Sequence, residues 1–168
     1  RSTTRHERFY RDGPMFSDDV YRKELGDTIT VLEDWALAHG DCSAITTAMT
    51  PAYWKLSAIP NTPGACPFEL LLRSDQKFDL QIADEVYEDK PVDVFAFFPM
   101  LVRAIGAGNV DRISIRSALT DTLEAIETRI TLEDGWAWIG ERRVAPRLAR
   151  KLDCATEQSC HRFLPYRR

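Results

Sequence analysis

Residues 53–82 read YWKLSAIPNTPGACPFELLLRSDQKFDLQI, and their period decides the fold. Apolar side chains alternate with polar ones three times over: Trp54, Leu56 and Ala58, then Phe68, Leu70 and Leu72, then Phe78, Leu80 and Ile82. A period of two places each set on one face of a strand. Pro60, Pro63, Gly64 and Pro67 punctuate the first connection, and Ser74, Asp75 and Gln76 the second. The spacing therefore predicts a three-stranded meander with one buried face.

Upstream, the period changes to that of a helix. Tyr21, Leu25, Ile29, Leu32, Trp35 and Ala36 recur at steps of three and four within residues 17–39. Ser17 reads as the N-cap, Asp18 and Asp19 suit the positive end of the helix dipole, and Gly40 follows the last turn. Gly26 weakens the middle by about 1 kcal/mol relative to alanine.

Downstream, residues 84–90 are polar and lead through Pro91 to Asp93, the expected N-cap of a second helix over residues 93–107. That helix is apolar nearly all round, broken only by Arg103, so it is covered on more than one side. Pro99 kinks it or marks its true start. A second alternating block follows, with strands over residues 110–118 and 123–132, a hairpin turn at Asp134 and Gly135, and a strand carrying Trp136 and Trp138. A short basic helix over residues 145–152 precedes a tail.

The fold class is thus α+β: an antiparallel sheet of five to six strands with helices on one face, in the order α-β-β-β-α-β-β-β plus a short C-terminal helix. Residues 17–143 form the domain, flanked by a basic arm over 1–16 and a basic helix and tail over 144–168.

Charge follows the same division. Residues 1–16 hold four Arg against Glu7 and Asp12, and residues 140–168 hold eight Lys and Arg against Glu141, Asp153 and Glu157. With +2 and +5 at the ends, the net charge of −4 leaves −11 on residues 17–139. A field so divided steers association with partners.

The sheet face away from the helices is expected to show Lys55, Glu69, Arg73, Asp79, Gln81, Arg112, Ser114, Arg116, Glu127 and Arg129. Opposite charges paired across strands are the ordinary use of such a face. The sharper use gathers Arg73, Arg112, Arg116 and Arg129 as guanidinium forks around an anionic ligand, with Trp54, Trp136 and Trp138 as the wall of an aromatic pocket. Against that stands the ordinary place of strand tryptophans, in a core or interface.

No catalytic motif stands out. A nucleophile needs a positioned base, and only Cys42 or Cys66 with His39 offers one within the domain. The acidic stretch lacks the spacing of a calcium loop, and the cysteines Cys42, Cys66, Cys154 and Cys160 lack that of a zinc site, so neither metal nor cofactor is expected. A core of this size needs no disulfide, and reduced, cytoplasmic thiols are expected. The longest apolar run, over residues 94–102, falls far short of the roughly 20 residues of a membrane span.

The leading expectation is a non-catalytic protein-interaction domain that binds a protein partner or itself as a homodimer. Arg142, Arg143, Arg147, Arg150 and Lys151 at the basic end would meet an acidic patch of Asp84, Glu85, Glu88 and Asp89. A small-ligand binder or enzyme built on the tryptophans and the arginine face comes second. Nucleic-acid binding through the basic tail comes third, since the acidic body repels a polyanion.

Overall fold

A computed structural model describes residues 15–144 and 155–168. Two helices and nine strands are found among the described residues, and the α+β class holds. Helix α1 is Asp18–Ala38 and follows Ser17, which occupies the N-cap position without a side-chain bond to the helix. Its inward stripe is Tyr21, Thr28, Ile29, Leu32, Trp35 and Ala36. At the far end His39 stacks on Trp35, and its Nδ1–H donates to the Trp35 carbonyl oxygen at 2.8 Å.

The first sheet runs in the order β1 (Ser43–Met49), β2 (Tyr53–Pro60), β3 (Phe68–Arg73), β4 (Lys77–Ile82) and β5 (Glu85–Pro91), every pair antiparallel. The expected meander is β2 to β4, and its register brings Leu56 opposite Leu70 and Leu70 opposite Leu80. Those three side chains are wholly buried beneath α1 and α2 (Phe97–Gly106). The N-cap of helix α2 is Ala96, three residues later than the expected Asp93. Pro99 lies in its first turn, where a missing N–H costs no helical bond.

The structure adds β1 and β5 to the meander. Up to Met49, β1 is made of small and β-branched residues with little bulk to alternate. β5 falls in the polar stretch over residues 84–90, and a two-residue turn with Ala83 at φ 50° returns the chain directly to it from β4. Pairing carries a bulge between Phe78 and Leu80 and ends at Pro91, which has no N–H for a further strand. The later strands form a second sheet, in the order β8 (Ala137–Arg143), β7 (Leu123–Thr131), β6 (Val110–Ser117) and β9 (Thr156–Arg162). Val110, Ile130 and Leu132 carry the main core into it.

Strand β9 and the six residues after it correct the expectation of a tail. The chain returns to the core: Phe163 N–H donates to the Val110 carbonyl, Leu164 N–H to that of Gly64, and Tyr166 N–H to that of Gly106. Tyr166 is 1% exposed, and its hydroxyl donates to the Cys66 carbonyl at 2.7 Å. Arg167 ends the strap on Asp41. Gly108, at φ 79°, lets the strap pass, because a Cβ there would lie 2.6 Å from the Pro165 nitrogen. The expected helix over residues 145–152 lies outside the described residues. Among those described, no helix is long and apolar enough to cross a membrane.

Candidate functional site

Where the two sheets meet, Tyr87 of β5 is buried against β7 and β8. Its hydroxyl donates to Thr128 Oγ1 at 2.7 Å, and its ring meets Trp138 edge-on, 5.1 Å between centroids. Burial raises the Tyr87 pKa, so the phenol stays a donor. Gly140 lies directly under the ring: a Cβ there would come within 2.5 Å of it. The absence of a side chain at Gly140 is what lets the sheets close.

Beside Tyr87, Glu85 is 2% exposed and receives a fork from Arg142, at 2.6 and 3.0 Å, with Arg112 at 3.3 Å. The Arg142 hydrogen bonds hold its carboxyl below the usual glutamate range against the opposing effect of burial, and the Arg112 charge adds to them. Arg142 of the basic end and Glu85 of the acidic patch, which the sequence places on the two sides of one contact, thus bind each other within one chain.

The junction opens into a cleft of about 1330 Å³ between the β4–β5 end of the first sheet, the start of α2 and the β7–β8 hairpin. Phe97, Met100, Val94, Trp136, Trp138 and Ile139 give it an apolar wall. Trp136 is 63% exposed, a large aromatic side chain with most of its surface in water. The hairpin holds it there: Gly135 takes φ 85° in the turn, Asp134 Oδ1 accepts the Trp136 N–H at 3.0 Å, and Arg103 grips Glu133 with two hydrogen bonds.

Charge around the cleft leans negative, with Asp18, Asp75, Asp89, Asp93 and Asp134 against Lys77 and Lys90. Arg73 engages Asp75 and Asp89, and Lys77 lies 3.8 Å from Asp89. Asp18 and Asp134 form no ion pair among the described residues. At one rim the Gln76 carboxamide accepts the Phe16 N–H at 3.1 Å and donates to the Phe16 carbonyl at 2.8 Å. That clamp sets Met15 in the cleft wall.

The expected arginine cluster is not assembled. Arg73 belongs to the first sheet and sits among Asp75, Asp79 and Asp89. In the second sheet Arg112 pairs across from Thr128, and Asp111 from Arg129, so Arg112 and Arg129 point to opposite faces. A one-residue register difference is enough to separate them. Arg116 meets Asp121, and Arg129 meets Glu127. On the outer face of the first sheet Lys55 and Glu69 pair at 3.5 Å, the ordinary use of such a face.

Of the tryptophans, Trp136 and Trp138 line the cleft, whereas Trp54 is core at 2% exposure. Asp84 and Glu88 are exposed, Asp89 borders the cleft, and Arg143 meets Glu141. Arg147, Arg150 and Lys151 lie outside the described residues. Cys42, Cys66 and Cys160 are thiols. Cys66 is wholly buried and burial pushes its pKa up to about 12, while Cys42 donates to the His39 carbonyl and not to its ring. Neither pairing forms a nucleophile with a positioned base.

No protein-family model, no curated protein and no solved structure matches the chain.

Proposed function

We propose that this chain is a protein-interaction domain that receives a short segment of basic and aromatic residues in the cleft beside Trp136. The observation that carries the reading is Trp136 itself, held out in water by its hairpin in a cleft whose lining includes Asp18 and Asp134. Exposed aromatic anchors inside a polar rim are where binding energy concentrates in protein interfaces. Size supports a peptide over a small molecule. Pockets that enclose small ligands span about 300–1,000 Å³, and this cleft is larger and open along one side.

The charge division agrees. Basic segments outside an acidic body would be drawn to the cleft, whether they belong to a partner, to a second copy or to the chain itself. The free thiols support a reducing, cytoplasmic setting. A small-ligand reading keeps Trp136 and Trp138 but loses the arginines, since the cations at the cleft are lysines.

The test is a fluorescence titration of the protein with an unrelated peptide of alternating arginine and phenylalanine, at low and high salt. Saturable binding weakened by salt and reduced at least thirtyfold by Trp136→Ala is expected, as for an interface hot spot of about 2 kcal/mol. Equal binding by the variant refutes the reading.

A further inference from the structure

We propose that the cleft's ligand is a partner protein's extended segment in which basic and aromatic residues alternate, bound as an added β-strand on the open edge of β8. This rests on the reading of the cleft as a site for basic and aromatic segments, and it names the mode of binding. Three observations converge on it.

The first is an unused edge. β8 ends the second sheet on one side, with β7 as its one partner strand among the described residues. Their register runs from Ala137 opposite Thr131 to Arg143 opposite Ala125 without a bulge. Just beyond its two ends, Leu132 N–H donates to the Trp136 carbonyl and Val144 N–H to that of Glu124. Opposed residues of an antiparallel pair alternate between hydrogen-bonded and non-bonded. The even-numbered residues of β8 therefore bond to β7, and the N–H and C=O groups of Ala137, Ile139 and Glu141 point out from the sheet. Proline, lysine and bulges are the usual guards of an exposed edge. β8 has none of them.

The second is position. Ala137, Trp138 and Ile139 are consecutive, and all three line the cleft. Successive strand residues face opposite sides, so a cavity that touches all three wraps the edge of the strand. A chain paired with that edge lies in the cleft.

The third is chemistry. A residue of the added strand opposite Ile139 shares its face, and the next shares the face of Trp138. Aromatic residues at alternate positions thus stand beside Trp138, on the side where its ring meets Tyr87. The residues between them pass beside Glu141, which is exposed, and the cleft's five aspartates against two lysines favour arginine there. In such additions the main-chain bonds give affinity and the alternate side chains give specificity.

Amide hydrogen exchange of the full chain, followed by NMR with the arginine-phenylalanine peptide, tests this. With free peptide at ten times its Kd, exchange at Ile139 and Glu141 should slow about elevenfold, since only unoccupied molecules then exchange. Thr47, whose N–H points out from the edge of β1 by the same alternation, should stay fast. N-methylation of the peptide's arginines removes the amides that face β8 and should weaken binding about tenfold or more, whereas N-methylation of its phenylalanines should cost less than about threefold. Binding that needs Trp136 yet leaves Ile139 and Glu141 fast, or that suffers equally from both methylations, overturns strand addition while leaving the cleft as a peptide site. Failure of the peptide to bind overturns both. Slow exchange at Ile139 in the free protein that is lost on dilution, alongside a dimer in sedimentation, gives the edge to a second copy and overturns the partner segment.

Discussion

Adding one methyl group at Gly140 and the same group at Gly26 should move stability in opposite directions, because the new atom meets a packed ring pair at a strand position in one case and open space on a helix in the other. At Gly26 of α1 nothing lies within 4 Å, and glycine is a poor helix residue, so Gly26→Ala should stabilise by about 0.5–1 kcal/mol. At Gly140 a Cβ would lie 2.5 and 2.6 Å from the Tyr87 ring and 2.7 Å from Trp138. Ordinary contact begins at 3.4 Å, so the ring must retreat by nearly 1 Å. Such overpacking costs about 1–3 kcal/mol. Retreat also breaks the buried hydrogen bond from Tyr87 to Thr128, for about a further 1–2 kcal/mol. The sum, about 2–5 kcal/mol, corresponds to a Tm lowered by roughly 5–15 °C in a chain of this length. Urea denaturation of both variants measures it. Because Trp138 would be pushed toward the cleft, Gly140→Ala should also weaken peptide binding, whereas Gly26→Ala should leave it unchanged. A Gly140→Ala protein within 0.5 kcal/mol of the parent would refute the reading that this glycine permits the sheets to close.

Two further outcomes follow from buried polar contacts. Tyr166→Phe removes a donor from the Cys66 carbonyl while keeping the ring, and should cost about 1–2 kcal/mol in denaturant without altering the cleft. Glu85 has its pKa lowered by Arg142, so its contribution is complete above the ordinary glutamate value near 4.3 and is lost as pH falls through its lower folded value; Glu85→Gln should flatten that part of the acid-unfolding profile, measured by circular dichroism from pH 6 to 2.

Much of the fold was legible because its signal is local. Alternation over residues 53–82 survives as β2, β3 and β4 within one residue at each end, and the stripe from Tyr21 to Ala36 survives as α1. Turn chemistry located the β7–β8 hairpin at Asp134 and Gly135. The strands that went unseen lack such signals. β9 is exposed at all seven positions, so neither face needed an apolar set. β5 begins with a buried charge, Glu85, whose neutralising partners lie 27 and 57 residues away.

The site was legible only in its parts. Trp136 and Trp138 stood out as surplus aromatic residues, and Trp54 looked the same by spacing. Which of the three reaches a cleft depends on which sheet each joins. Gln76 looked like a turn residue, and nothing local marks it as the clamp on Phe16.

By itself, then, the sequence determined the α+β class, the meander and the division of charge between body and ends, because period and composition act on neighbouring residues. Tertiary structure alone decided the split into two sheets, the face each arginine takes, the Glu85–Arg142 pair and the cleft. Each of those depends on strand register and on partners far apart in the chain, and a shift of one residue in register turns every side chain to the other face.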